Sequence, residues 1–283
     1  MLTYLDQSAL IKLGFKALGS PVFQAKLDAA IKSGTLTAVV SAWHLIETAN
    51  TPKLENATRL ADFIDSLRPA WLLEKYDIAR LEVHEDFFRF AKLDYRTQER
   101  VGTRSAAIAA LSKAKDDPKF DIPSRRFVEQ WIKHPEQLEV MKKPYKDGVE
   151  ALLWLRQAVK DGKITDAVRK QTNQVFLKKH MPKFTPSGLE IPREVAAEYI
   201  ERANTDSIPT LRIEAAISDH EWNSQGGADR NTQIDKFHLI AALPYVDEIV
   251  SEDDFFHKIY PVAEKTGHVR AKVLSFDEFL KRF

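Results

Sequence analysis

Acidic side chains recur in this sequence at or soon after the ends of short apolar segments that have strand character. These acids are Asp6, Glu47, Asp253 and Asp254, and a further acid, Asp235, lies on a short helix that ends at Pro244. In a sheet of parallel strands the carboxyl ends meet along one edge, where α/β proteins bind their ligands. The pattern therefore predicts that these acids, although distant in sequence, converge on one site.

A set of converging carboxylates is typical of a cation site. The acids repel each other strongly unless a divalent cation lies among them, and Mg²⁺ and Mn²⁺ prefer such oxygen ligands. A bound water can then act as the nucleophile while the cation neutralises charge that develops on a phosphodiester. We expect Asp6, Glu47, Asp235 and Asp253 to be catalytic metal ligands, with Asp254 as the rival for the fourth position. Each acid alone is more typical of a solvated helix cap, so the expectation depends on the four together.

Three further side chains are candidates for supporting roles. Ser8 and Ser251 lie next to the predicted acids and can hydrogen-bond a carboxylate or a metal-bound water, or cap a helix. Asp229 precedes Asp235 by six residues. It is either an additional acid at the same edge or a cap or loop residue.

The apolar periodicity predicts the elements that position these residues. Strands are expected at 2–5, 36–40, 70–73, 248–250 and 271–274. Helices separate the first three, which favours βαβ units and a mainly parallel sheet. Between about residue 78 and residue 219 the pattern is helical, with predicted helices at 78–93, 104–115, 123–133, 147–160, 164–180, 192–204 and 209–219. The sequence thus predicts a discontinuous α/β domain, 1–78 with 228–283, interrupted by a helical insertion, 79–227.

The composition excludes several classes of protein. There is no cysteine, which excludes disulfides, thiolate zinc sites and a cysteine nucleophile. The 42 basic and 41 acidic residues nearly cancel, so any attraction for nucleic acid must come from local patches. There is no signal-peptide pattern at the N-terminus and no apolar run long enough for a membrane span, so a cytoplasmic protein without membrane contact is expected.

Four motifs resemble those of the PIN-domain nucleases, in the order usual for that family. The motifs are Tyr-Leu-Asp-Gln-Ser at 4–8, Ser-Ala-Trp-His-Leu-Ile-Glu at 41–47, Asp-Lys-Phe-His-Leu-Ile-Ala-Ala at 235–242 and Val-Ser-Glu-Asp-Asp-Phe at 250–255. The resemblance implies a three-layer αβα fold with a central parallel sheet, and Mg²⁺- or Mn²⁺-dependent cleavage of RNA, as in the toxins of bacterial toxin–antitoxin pairs. It implies Asp6, Glu47, Asp235 and Asp253 as the four acids, with Ser251 preceding the last by two positions. The toxin nucleases are shorter and have no counterpart of the helical insertion.

Two histidines share helix faces with the predicted acids. His238 follows Asp235 by three residues, and His44 precedes Glu47 by three. Either ring could orient a phosphate or shuttle a proton. A structural role is the favoured interpretation for both, because the chemistry of PIN-type nucleases does not require a histidine.

Basic clusters and aromatic residues alternate in the predicted insertion. The basic residues are Arg125, Arg126, Lys142, Lys143, Lys146, Lys178, Lys179 and Lys183, and the aromatics are Phe127, Trp131, Tyr145, Trp154, Phe176 and Phe184. Such residues could contact a nucleic-acid backbone and stack on bases. Alternatively, they form solvated helix faces over a buried aromatic stripe, which is the favoured interpretation.

The function that these features predict is a Mg²⁺- or Mn²⁺-dependent endoribonuclease. Two alternatives remain open. The first is a PIN-like scaffold without activity, whose insertion binds an antitoxin or another protein. The second is a structure-specific DNA nuclease with the same acids. The sequence also leaves a homodimer open.

Overall fold

Six short strands form one sheet at the centre of the protein. The computed structural model describes residues 1–15, 21–112, 120–223 and 230–282. The strands are β1 (Leu2–Leu5), β2 (Thr37–Ser41), β3 (Ala70–Leu72), β4 (Val101–Gly102), β5 (Glu248–Val250) and β6 (Lys272–Leu274). Their order in the sheet is β4-β3-β2-β1-β5-β6, and all neighbours are parallel except β4, which is antiparallel to β3. The predicted α/β class with a mainly parallel sheet is confirmed, while its assignment as PIN-like stays a prediction.

The helices follow the strands on both sides of this sheet. In the part of the chain that the structure describes they are α1 (Gln7–Phe15), α2 (Pro21–Lys32), α3 (Ala42–Ala49), α4 (Leu54–Ser66), α5 (Lys75–Phe90), α6 (Arg104–Ser112), α7 (Ser124–Lys133), α8 (Pro135–Lys160), α9 (Asp166–His180), α10 (Arg193–Arg202), α11 (Pro209–Asn223), α12 (Arg230–Ala242), α13 (Asp254–Glu264) and α14 (Phe276–Leu280). A 3₁₀ turn lies at Thr205–Ser207. None of these helices is both long and apolar enough to cross a membrane.

Alternation of side chains along the strands builds two cores, one on each face of the sheet. Leu5 and Val40 belong to the core that α1, α3 and α4 cover, whereas Tyr4 and Val39 belong to the core beneath α11, α12 and α13. Neighbouring residues of a strand point to opposite faces, so a strand that is buried on both faces is mostly apolar along its length. The apolar runs that predicted these strands therefore reflect helices on both faces of the sheet.

The order of the strands places a crevice next to β1. From β1 the chain proceeds outward to β2 and β3, and it later returns to the other side of β1 as β5 and then β6. Such a reversal opens a crevice at the carboxyl ends of the two strands that flank it, here β1 and β5. The backbone N–H of Asp6 donates to the carbonyl of Val250 over 3.1 Å, which fixes these two ends side by side.

The segment between β3 and α12 contributes to the sheet and to both cores. Contrary to the expectation of an all-helical insertion, Val101–Gly102 pairs with β3 at the edge of the sheet. Phe127 and Trp131 of α7 are buried in the core beneath α1, α3 and α4, and Ile213 of α11 is buried in the core on the other face of the sheet. A further core joins α5, α9 and α10 around Phe87, Leu177 and Tyr199. The division of the chain into two separate domains stays a prediction.

Candidate metal centre at the carboxyl ends of the central strands

Asp6 lies at the floor of the crevice and is held by two serines from opposite ends of the chain. Its Oδ2 accepts hydrogen bonds from the hydroxyl of Ser8, at 2.8 Å, and from the hydroxyl of Ser251, at 3.0 Å. The backbone N–H of Ser8 donates to the same oxygen over 3.3 Å. Burial raises the pKa of Asp6, whereas the hydrogen bonds from the two serines lower it. The two serines thus favour the ionised carboxylate and fix its orientation.

Glu47 is a largely buried acid whose carboxylate is not stabilised by hydrogen-bond donors on both oxygens. It lies on α3, and its Oε2 is buried without a hydrogen-bond partner among the described residues. Burial raises the pKa of Glu47 well above the usual range, and the charges of Asp6 and Asp235 raise it further. A buried carboxylate oxygen that lacks a donor is costly, so the position favours a proton or a cation.

Asp235 completes a group of three interacting acids. It lies on α12 and is partly exposed, and its charge also contributes to the raised pKa of the buried Tyr4 hydroxyl, for which burial is the main cause. Asp6, which follows β1, and Asp235 are therefore near enough to Glu47 on α3 to raise its pKa. Asp6 lies at the carboxyl end of β1, whereas Glu47 and Asp235 are carried by the helices α3 and α12.

The structure gives Asp253 and Asp254 local roles. Asp253 is the N-cap of α13, and its Oδ1 accepts the backbone N–H of Phe255 over 2.7 Å. Its own N–H donates to the hydroxyl of Ser251, which connects it to Asp6. Asp254 begins α13 with a side chain that is 86% exposed and 3.4 Å from the ammonium of Lys258. Asp253 is therefore the better connected of the two, but its carboxylate is occupied by the helix cap.

Two histidines, for which the sequence favoured a structural role, lie next to Asp6. His44 and His238 are 0% and 4% exposed, and one potential ligand atom of each lies within 4.8 Å of the other and of a carboxylate oxygen of Asp6. Glu47 and Asp235 are not part of this group of three. Burial lowers the pKa of His44 to about 4, and burial together with nearby His44 lowers the pKa of His238 well below its usual value.

Hydrogen bonds hold both imidazole rings by their Nδ1 atoms. His44 Nδ1 lies 2.8 Å from the backbone nitrogen of Ser41, which is the N-cap of α3. His238 Nδ1 lies 2.6 Å from the hydroxyl of Tyr4. The spacing of each histidine from an acid was visible in the sequence, whereas the meeting of α3 and α12 above Tyr4 was not. Tyr4 was not predicted as a site residue, because a tyrosine in an apolar strand is ordinarily part of the core.

The basic and aromatic residues of the predicted nucleic-acid surface divide into buried and exposed sets. Phe127 and Trp131 are buried and unavailable for stacking, whereas Trp154 and Phe184 are 65% and 57% exposed. Lys142 is buried and donates to Asn50. The side chains of Tyr145 and Lys146, and the whole of Asp229, lie outside the described residues. On α7 the structure thus agrees with a polar helix face over buried aromatics.

Comparison of the chain with protein-family models, with curated proteins and with solved structures finds no match.

Proposed function

We propose that the protein is a Mg²⁺- or Mn²⁺-dependent nuclease that hydrolyses phosphodiester bonds, with RNA as its substrate. Two observations support the proposal: the buried Oε2 of Glu47 has no hydrogen-bond partner among the described residues, and the charges of Asp6 and Asp235 raise the pKa of Glu47. A buried carboxyl whose pKa is raised by neighbouring carboxylates, close to a topological switch point, is suited to a divalent cation. PIN-like activity is the form of this function that the four sequence motifs favour.

The residues present fit such a cation. Oε2 of Glu47 is buried and can accept a cation. In Asp6, Oδ2 is held by Ser8 and Ser251, which leaves Oδ1 as the oxygen that can bind a cation. When bound, Mg²⁺ or Mn²⁺ supplies a water of lowered pKa and positive charge opposite the phosphodiester. In the proposed reaction Asp6, Glu47 and Asp235 hold the cation.

The remaining candidates act through these acids. Ser8 and Ser251 orient Asp6, and Asp253 positions Ser251 through its backbone while it caps α13. Asp253 therefore belongs to the proposed site as a positioning residue in this arrangement. Asp254, exposed and beside Lys258, is the weaker candidate for the fourth acid.

Cleavage assays with matched variants test the proposal. Purified protein is incubated with single-stranded RNA and with DNA of the same sequence, in Mg²⁺, in Mn²⁺ and in EDTA. We expect cation-dependent RNA cleavage that Asp6→Asn and Asp235→Asn each lower by at least about 100-fold, the scale for removing a preorganised electrostatic group. The control is Asp62→Asn, because Asp62 is an exposed acid on α4 that faces Arg125.

The outcomes separate the site from the substrate. Cleavage that survives in both site variants contradicts the assignment of the acids. Cleavage of DNA alone supports the acids but replaces RNA with a DNA substrate. If no substrate is cleaved and calorimetry detects no divalent cation binding, the nuclease proposal fails.

A scaffold without catalysis is the second candidate, and exposed apolar side chains on α8 favour it. Val140, Leu153 and Trp154 are 73%, 54% and 65% exposed. Exposed aromatic and aliphatic side chains are typical of protein-binding surfaces. For this function we expect Trp154→Lys to abolish capture of an antitoxin or another protein, while Asp6→Asn leaves capture unchanged. The opposite pattern contradicts it.

A further inference from the structure

Two buried imidazole nitrogens at the floor of the site have no hydrogen-bond partner within the part of the chain that the structure describes. They are Nε2 of His44 and Nε2 of His238, from helices α3 and α12. The two ring centroids are 5.4 Å apart, and the ring of Tyr4 contacts both. An unsatisfied buried polar atom costs about 1–3 kcal/mol, so two in one place point to a site that binds a ligand.

The third member of this cluster is a carboxylate. Potential ligand atoms of Asp6, His44 and His238 all lie within 4.8 Å of one another, and all three residues are buried. The Nδ1 atoms of both rings are already engaged, by Ser41 and by Tyr4, so the Nε2 atoms are the ones available to a ligand. Histidines that bind metals are held in this way by a hydrogen bond to the other ring nitrogen.

We propose that Asp6, His44 and His238 bind a first-row transition-metal dication, such as Zn²⁺, Co²⁺ or Mn²⁺. Two imidazoles and one carboxylate suit these ions, whereas Mg²⁺ prefers oxygen ligands and keeps its waters. The site shares Asp6 with the acids Glu47 and Asp235, but its occupancy does not depend on nuclease activity. If both proposals hold, the nuclease uses Mn²⁺ or another transition-metal dication rather than Mg²⁺.

Binding at Nε2 requires a particular tautomer of His44. Nδ1 lies 2.8 Å from the N–H of Ser41 and 3.2 Å from the carbonyl oxygen of the same residue. When Nδ1 accepts from the N–H, the ring proton is on Nε2, where it would block a metal. When Nδ1 carries the proton and donates it to the carbonyl, the Nε2 lone pair is free. Metal binding therefore moves the ring proton from Nε2 to Nδ1, with no change in the charge of the imidazole.

The hydroxyl of Tyr4 allows the corresponding tautomer of His238. Tyr4 is hydrogen-bonded to the side chain of Ser41 as well as to His238 Nδ1. If the hydroxyl of Tyr4 accepts the Nδ1 proton of His238, the Nε2 lone pair of His238 is free to bind a metal. Ser41 thus contacts both histidines, directly and through Tyr4.

Metal binding is tested on the full-length protein after removal of metal with a chelator. Zn²⁺ and Co²⁺ are titrated by calorimetry without nucleic acid, and Zn X-ray absorption on the wild-type protein counts imidazole ligands. We expect one ion per chain bound by two imidazoles. His44→Gln and His238→Gln should each weaken binding at least about tenfold. His134→Gln is the control, since His134 is 52% exposed on its side chain and lies at the start of α8.

The tautomer provides a readout that a merely structural histidine would not give. In nitrogen-detected NMR of the wild-type protein, Zn²⁺ should convert His44 to the form with its proton on Nδ1. Absence of binding, fewer than two imidazoles around the ion, or equal losses in the His134→Gln control would each overturn the proposal. Because the absorption and NMR measurements use the wild-type protein, a variant that fails to fold leaves the test intact. Zn²⁺ binding without RNA cleavage would support this site and count against the nuclease.

Discussion

At the scale of single residues, Asp6 determines what the site can do. One of its oxygens is fixed by Ser8, two residues away, and by Ser251, 245 residues away. The charge of the same carboxylate raises the pKa of Glu47, and one of its oxygens lies within 4.8 Å of ligand atoms of His44 and His238. The orientation of Asp6 is therefore the property to which metal binding should be most sensitive.

Removal of the distant serine tests this dependence. We expect Ser251→Ala to weaken Mn²⁺ binding by roughly 10- to 100-fold, as for other residues that orient a metal ligand. The physical reason is that Asp6 loses a donor to its ionised form, which raises its pKa and frees its rotation. Calorimetry measures the affinity, and Ser33→Ala, an exposed serine after α2, is the control. An unchanged affinity in Ser251→Ala would show that Asp6 is not a metal ligand.

The buried histidine gives the metal-free protein a pH-dependent stability. The pKa of His44 is lowered to about 4 by burial, against about 6.5 in an unfolded chain. Between these values the unfolded state binds more protons, so the free energy of unfolding must fall as the pH decreases. From pH 7 to pH 5 we expect His44 to account for a loss of about 2 kcal/mol.

Comparison with a variant isolates this contribution from the carboxylates, which titrate in the same range. Urea unfolding in EDTA at several pH values should show a smaller loss for His44→Gln than for the wild-type protein. The raised pKa values of Asp6 and Glu47 act in the opposite direction and remain in both proteins. Equal losses in the two proteins would mean that the His44 imidazole is not held neutral by burial.

At the scale of elements, the sequence predicted the strands that are buried on both faces and missed the one at the edge. The runs that became β1, β2 and β5 are apolar because helices cover both faces. In contrast, β4 has two residues, too few for a period, and exists because β3 offers an open edge. The sequence also placed the start of α8 too late. The helix begins at Pro135, twelve residues before the predicted 147, because proline is tolerated in the first turn of a helix.

The site was predictable to the extent that it depends on strand ends. Asp6 and Glu47 follow recognisable strands, so their convergence could be inferred from topology alone. The roles of His44 and His238 could not, because the same spacing suits a histidine of the core. Only the packing of α12 against the sheet decides that both rings face Asp6.

A buried glutamate joins the helices that follow β3 to the end of α12. Glu82 of α5 accepts the N–H of Thr210 on α11 over 3.0 Å, and the hydroxyl groups of Thr210 and Tyr245 donate to it as well. We expect Glu82→Ala to lower the free energy of unfolding by roughly 3 kcal/mol, because three donors lose their partner in a buried place. Denaturant unfolding measures the change.

An exposed glutamate provides the comparison. Glu198 pairs with Arg202 one turn later on α10, where a surface ion pair contributes little. Glu198→Ala should therefore change the stability by less than about 1 kcal/mol. If Glu82→Ala is as mild, the link between α5, α11 and Tyr245 does not hold these elements together.

At the scale of the whole molecule, β1 is the strand through which the early and late parts of the sheet are joined. It pairs with β2 on one side and with β5 on the other, and residues of β5 belong to both cores. A protein that ends at residue 247 keeps Asp6, Glu47 and Asp235 but lacks β5, β6 and Ser251. We expect it to lose cooperative unfolding and Mn²⁺ binding, measured by circular dichroism and calorimetry beside the full chain. Retention of metal affinity would show that the three acids form a site without the second half of the sheet.

The late pairing of β1 has a consequence for biosynthesis. A domain generally folds as the ribosome releases it, N-terminal segments first. Here β1 leaves the ribosome long before its neighbour β5, and Ser251 is synthesised 245 residues after Asp6. An incomplete nascent chain therefore exposes one side of β1 to other chains and lacks the finished site. The proposed activity therefore arises only after β5 and β6 have been translated. Until then, the open edge of β1 needs protection from other chains.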